Sequence, residues 1–229
     1  MSEPKYRNEY KYVIDSGQLA LLLERARAVM RSDSHTEGTR SYNVRSVYFD
    51  DEGDTCYLEN ENGTDPREKY RIRIYNHSDR LITLERKAKR SQKCLKQGCP
   101  LTRLQCESLL RGEPPVETGC EPLLLRRFTA LMRTRLLRPV VIVEYDRIPF
   151  VHPLGNVRVT LDCNLRASAS CHGFFDARLP LRPVLPIGAH IAEVKWDEFL
   201  PDYIYQALML ESLQWQSFSK FYLCRRHTR

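Results

Sequence analysis

The chain has 229 residues, 42% hydrophobic and 28% charged, enough to bury a core as a single domain over residues 1–229, the organisation expected here. With 36 Lys and Arg against 29 Asp and Glu, the formal net charge of +7 favours a polyanionic partner: nucleic acid, an acidic lipid surface or a phosphate-rich small molecule. No stretch approaches the roughly 20 apolar residues that span a bilayer, and the opening MSEPKYRNEY lacks the apolar core of a signal peptide, so a cytoplasmic protein is expected.

In chain order, residues 5–14 (KYRNEYKYVI) alternate Arg7, Glu9 and Lys11 against Tyr6, Tyr10 and Tyr12 and predict a first strand. Asp15 with Gln18 is a capping box for a helix whose apolar stripe is Leu19, Leu22, Leu23, Ala26 and Met30. Residues 41–50 predict a second strand, ended by a turn at Asp50 to Gly53; residues 60–68 have the composition of a loop. Strands at 69–76 and 80–88 follow as a hairpin, and then a very basic stretch from Lys87 to Lys96. Thr102 with Gln105 predicts a capped helix through Leu110, and Pro122 opens another that carries Leu124, Leu125, Phe128, Leu131, Met132 and Leu136. Strands return at 139–147, 156–163 and in HIAEVKW, before helices near 201–211 and 216–225. This is an α+β order, not a βαβ series.

The eight cysteines contain no CxxC pair, and the spacing of Cys94, Cys99 and Cys106 is poor for zinc, so free thiols are expected. The six histidines are scattered without metal-ligand spacing. Glycine-rich phosphate loops of the GxGxxG and Walker types are absent from the sequence.

The strands carry the informative pattern. In YRIRIY and LITLERK a charge falls on every second residue, which puts Arg71 and Arg73 on one face of their strand and Glu85 and Lys87 on one face of theirs. If the antiparallel strands close into a barrel, such faces meet in its lumen. Collected by this parity, the lining is Arg7, Glu9, Lys11, Lys69, Arg71, Arg73, Glu85, Lys87, Arg147, Arg158, Glu193 and Lys195. Basic residues outnumber acidic ones, which suits a triphosphate or a chain of phosphates. The glutamates oppose a phosphate directly unless a divalent cation sits between them, so Glu9, Glu85 and Glu193 are candidate ligands of Mn²⁺ or Mg²⁺. The alternative is that each simply pairs with a neighbouring Lys or Arg.

YRNEYKYVI, SVYFDD, YRIRIY, LERK, EYDR, VRVTLDCNL, AEVKW and SFSKF occur in the order found in the VTC domain, the polyphosphate polymerase module of the triphosphate tunnel metalloenzymes, and the sequence resembles that family over nearly its whole length. The resemblance implies an antiparallel β-barrel tunnel with peripheral helices and a C-terminal helix. It further implies a triphosphate held among Lys and Arg side chains beside a glutamate-bound metal. By motif it assigns Lys11, Arg71, Arg73, Lys87, Arg147, Arg158, Lys96 in the basic stretch and Lys220 in the last helix to phosphate binding, and Glu193 to the metal. With strand parity, the expected catalytic set is Lys11, Arg71, Arg73, Lys87 and Arg158; the substrate-binding set is Arg7, Lys69, Lys96, Arg147, Lys195 and Lys220.

The implied activity moves the γ-phosphate of ATP onto a growing polyphosphate chain, chemistry that asks for positioning and charge stabilisation and not for a protein nucleophile. Relatives hydrolyse triphosphates, and a non-catalytic polyphosphate-binding module is a third reading. A separate membrane partner at the inner face of a membrane is implied by the resemblance alone, and nucleic acid is not expected, because the aromatic residues fall at core spacing. Two positions depart from the family pattern: Ser217 and Asn60 stand where basic residues are implied.

Overall fold

The computed structural model describes residues 8–33, 40–90, 93–116 and 119–229. The chain gathers into two compact units, Met1–Asn43 with Tyr145–Leu165 and Leu185–Phe218, and Val44–Glu144 with Arg166–Val184 and Ser219–Arg229. In order, the elements are β1 (Asn8–Ile14), α1 (Ser16–Val29), β2 (Arg31–Ser32), β3 (Tyr42–Asp50), α2 (Thr55–Glu61), β4 (Arg67–Tyr75), β5 (Ser78–Arg90), β6 (Lys93–Leu101), α3 (Arg103–Leu110) and α4 (Leu123–Thr134). There follow β7 (Arg138–His152), β8 (Val157–Ser168), β9 (Arg182–Pro183), β10 (His190–Trp196), α5 (Asp202–Ala207) and α6 (Lys220–Thr228).

In the first unit the strand order is β1, β10, β8, then the C-terminal part of β7. The β1–β10 and β10–β8 pairs are antiparallel. Period two sends Tyr12 and Ile14 of β1, Ala192 and Val194 of β10, and Val159 and Leu161 of β8 to one side, where they bury against Leu22 and Ala26 of α1 and Ile204 of α5. α1 starts as its sequence dictates: Asp15 accepts the Gln18 N–H at 2.8 Å and the Gln18 side chain returns to the Asp15 N–H at 3.0 Å.

In the second unit the N-terminal part of β7 is followed by β3, β4, β5 and β6. The pairs along β3–β4–β5–β6 are antiparallel. Its core joins Val47, Phe49, Ile72, Ile74, Ile82 and Leu84 to Leu109 of α3 and to Leu125, Phe128 and Met132 of α4. Phe128 meets Phe49 edge to face at 4.8 Å and stacks on Tyr70 at 5.1 Å. A buried ion pair occupies this apolar side. Arg45, 0% exposed, pairs through Nε with Glu144 and donates from Nη1 to the carbonyls of Phe174 (2.9 Å) and Asp176 (2.7 Å). Arg166 (2.8 Å) and His77 (3.1 Å) also reach Glu144. Together these bonds tie the segment carrying Phe174 to the sheet.

Three local expectations needed correction. Between the turn read at Asp50 to Gly53 and the loop read at 60–68, and reaching into the start of that loop, lies a helix, α2, because Asp50 accepts the N–H groups of Cys56 (2.8 Å) and Tyr57 (3.0 Å) and Asp51 accepts that of Thr55 (2.9 Å). Those carboxylates satisfy the donors that an uncapped first turn leaves exposed. The basic stretch continues into a strand, β6, whose alternation is masked by Gly98 and Pro100. The last helix begins at Lys220, where Ser219 accepts the Tyr222 N–H at 3.3 Å, later than residue 216.

Candidate functional site

On β4 to β6 the register aligns the charges in rows. Lys69 stands opposite Lys87, which stands opposite Lys96; the neighbouring row is Arg71, Glu85 and Gly98. Arg67 opposite Lys89 continues the pattern, and Arg73 opposite Thr83 ends it. On this face Arg67, Lys69, Arg71, Arg73, Lys87, Lys89 and Lys96 gather around Glu85, the acidic residue that these three strands place among them in the described residues. Like charges on directly opposed residues repel, so this arrangement is costly without an anion.

Glu85 organises the middle of the face. Arg71 donates from Nε and Nη2 to Oε2, each at 2.6 Å; Lys96 Nζ lies 2.6 Å from Oε1, and Arg73 Nη1 3.8 Å from it. Burial alone would raise the Glu85 carboxyl, but the Arg71 and Arg73 guanidiniums and the Lys96 ammonium outweigh it and hold the group well below the usual carboxylate range. Hydroxyls aim the arginines further: Arg71 Nη1 donates to Tyr48 at 2.8 Å and Arg73 Nε reaches Ser46 Oγ at 3.5 Å. Lys69 Nζ donates to Ser219 Oγ (3.2 Å) and Asn60 Oδ1 (3.4 Å) and lies 5.6 Å from the Phe221 ring. Lys220 opens α6 between those two contacts of Lys69.

The first unit has a second charged face, built from β1, β10 and β8. Its rows are Glu9, Lys195 and Arg158, then Lys11, Glu193 and Thr160. Here acids and bases are mixed. Lys195 Nζ lies 3.2 Å from Glu9 and 3.0 Å from Glu193, while Lys11 Nζ lies 3.2 Å from Glu9 and 3.9 Å from Glu193. Lys11 also donates to the carbonyl of Phe218 at 3.2 Å. Arg147 is buried and gives a bidentate pair to Asp162 (2.7 and 2.8 Å), with Glu193 3.6 Å from its Nη2. Burial works against its charge, and Asp162 more than compensates.

The structure therefore brings Lys69, Arg71, Arg73, Glu85, Lys87 and Lys96 onto one face of the second unit, and Glu9, Lys11, Arg158, Glu193 and Lys195 onto one face of the first. Arg147 sits on the first unit's face as the partner of Asp162; Arg7 lies outside the described residues. Strand parity, extended to β3 and to the ends of the hairpin, reaches Ser46, Tyr48, Arg67 and Lys89, which the sequence reading passed over. Asp33, which pairs with Arg158 at 3.0 Å, had no periodic signal at all. Among the described residues no group of three His, Cys, Asp or Glu side chains is placed to hold a metal ion. Glu9 and Glu193 nevertheless offer two hard-oxygen donors on adjacent strands, bridged by the ammoniums of Lys195 and Lys11. That fits Mg²⁺ or Mn²⁺, which bind through one or two carboxylates and share the remaining positions between phosphate oxygens and water.

The α+β arrangement is that of the triphosphate tunnel proteins. Solved structures similar to it include a Bacillus halodurans protein described as an adenylate cyclase candidate (12% identity, 94% of each chain, TM-score 0.56). A Hippeastrum protein named as an adenylyl cyclase and described as having a dominant triphosphatase activity is also similar (10% identity, 98% of this chain and 97% of that one, TM-score 0.56). A Pyrococcus horikoshii protein is a third (16% identity, 97% and 99%, TM-score 0.50). A search among curated proteins found no match. The sequence profile of the VTC domain matches residues 6–228, and the chain belongs to the VTC domain family.

Proposed function

We propose that this protein, working as one VTC-like domain over residues 1–229, binds ATP by its triphosphate and transfers the γ-phosphoryl group to the end of a polyphosphate chain. The observation that carries this reading is the face of β4 to β6, where register sets Lys69, Lys87 and Lys96 directly opposite one another in one row beside Arg71 and Arg73, like charges that repel. An anion bringing several negative charges relieves that repulsion, and the array extends past the Lys69, Lys87 and Lys96 row to Arg67 and Lys89, which favours a chain over an isolated triphosphate.

In this reading Arg71 and Arg73, held by Glu85, Tyr48 and Ser46, grip non-bridging phosphate oxygens and spread the charge that develops on the transferring group. Lys69, Lys87 and Lys96 position the neighbouring phosphates, with Lys220 beside them at the start of α6. Lys11, Lys195 and Arg158 are the phosphate-binding candidates on the first unit's own face, and Arg147 braces that face through Asp162. Glu193 and Glu9 would hold the Mn²⁺ or Mg²⁺, which when bound neutralises charge on phosphate oxygens. Glu85 serves the arginines as their counterion. Among the described residues no helix is long and apolar enough to cross a membrane; in this reading a separate partner carries any association with the cytoplasmic face of a membrane.

A second reading is hydrolysis of inorganic or nucleoside triphosphate, with water in place of the chain end. It is favoured by Asn60, which meets Lys69 where the family resemblance implies a further cation, and by Ser217. Incubation with ATP and Mn²⁺ separates the two: a ladder of long polyphosphate on a gel supports transfer, and free phosphate without a ladder supports hydrolysis. Neither product, with no binding of tripolyphosphate, would refute both.

A further inference from the structure

Two buried polar atoms on the same side of β8 have no hydrogen-bond partner among the described residues: Arg158 Nε and Thr160 Oγ1. The residues are two apart on the strand, so they share the face that also carries Asp162, while Val159 and Leu161 between them enter the core. Thr160 is only 2% exposed. A buried donor left unpaired lowers stability, and two neighbouring ones on a single charged face point to an acceptor that is not part of the protein.

The rest of the Arg158 side chain is already anchored. Its Nη2 reaches Asp33 Oδ2 at 3.0 Å and donates to the Tyr42 hydroxyl at 3.2 Å, and both partners are buried. That grip holds one end of the guanidinium and leaves Nε as the donor to be satisfied. Across the sheet Arg158 is paired with Lys195, and Thr160 with Glu193, whose charge is offset by Lys195 and Arg147. An oxyanion here meets two neutralised carboxylates and two unsatisfied donors.

We propose that Arg158 Nε and Thr160 Oγ1 form one subsite for a phosphate oxygen on the charged face of the first unit, with Thr160 a ligand-contacting residue and with Asp33 and Tyr42 positioning Arg158. The proposal rests on the triphosphate-binding reading above and adds to it a hydroxyl donor and a fixed orientation for one arginine.

Calorimetric titration with inorganic tripolyphosphate in the presence of EDTA tests it on the full chain, with thermal melts of the ligand-free protein in parallel. Thr160→Val keeps the shape and removes the donor; its affinity falls roughly tenfold, the loss of one hydrogen bond to a charged group. Its ligand-free melting temperature does not fall, because an unpaired hydroxyl has gone. Thr160→Ser restores affinity to within about twofold, since it restores the donor. Asp33→Asn also weakens binding, and in the double variant the two losses are less than additive, because both act on one oxyanion. A Thr160→Val protein that binds as tightly as wild type overturns the proposal and leaves the broader reading standing, as does a Thr160→Ser protein as weak as the valine variant. Strict additivity with Asp33→Asn overturns the positioning role of Asp33. Failure of the wild type to bind tripolyphosphate overturns the triphosphate reading itself.

Discussion

Arg71 and Glu85 occupy directly opposed positions on β4 and β5, and the guanidinium places Nε and Nη2 on the same carboxylate oxygen, each at 2.6 Å. Glu85 is thus the shared counterion of Arg71, Arg73 and Lys96. Its removal should show what the face was built to hold.

Glu85→Gln is expected to lower the stability of the ligand-free protein by about 3 kcal/mol, a melting-temperature drop of roughly 6–12 °C for a chain of this size, because Arg71, Arg73 and Lys96 lose the buried carboxylate they share. Added tripolyphosphate should raise the variant's melting temperature more than it raises the wild type's, since the anion takes over as counterion. An equal or smaller rise in the variant, read by differential scanning fluorimetry, would contradict the counterion role.

The acid limb of stability follows from the same carboxylate. Its folded pKa is depressed below that in the unfolded chain, so its stabilising contribution is complete above the unfolded value of about 4.5 and is lost as pH falls from there toward the folded value. Urea unfolding between pH 6 and pH 3 should show stability falling with pH in the wild type, with a shallower fall in Glu85→Gln. Superimposable pH dependences would exclude Glu85 as a contributor.

Lys87 stands between Lys69 and Lys96 in the lysine row. Lys87→Ala should reduce tripolyphosphate affinity roughly tenfold and make binding less salt-dependent. Titrations at two salt concentrations measure both effects; unchanged affinity would remove Lys87 from the anion site.

Arg45 is a structural counterpart on the opposite side of the same sheet. Arg45→Met removes the donor to the carbonyls of Phe174 and Asp176 and one partner of Glu144, and is expected to cost about 3–5 kcal/mol. Proteolysis should then cut first between residues 169 and 181. A variant with wild-type stability and the wild-type cleavage pattern would show that Arg45 is not the tie.

Much of the charged lining was legible in the sequence because strand geometry has a period of two. Arg71, Arg73, Glu85 and Lys87 could be assigned to faces from Tyr70–Lys87 alone, and capping chemistry announced α1 and α3 through Asp15 with Gln18 and Thr102 with Gln105. α2 was not legible, since the carboxylates of Asp50 and Asp51 that cap it also signal a turn. Asp33 could not be read as a partner of Arg158, 125 positions away, because no local period links them.

What the amino-acid sequence determined by itself is the chemistry of each strand face: which residues alternate, with what sign, and how many cations exceed the acids. Only the tertiary structure decided the pairing. Register put three lysines in one row and Glu85 beside Arg71, left the β1–β10–β8 face balanced, and sent Arg147 to Asp162. A strand's alternation survives any shift by two residues, so register comes from nonlocal packing of the cores against α1, α3, α4 and α5, and with it the choice of which charge meets which.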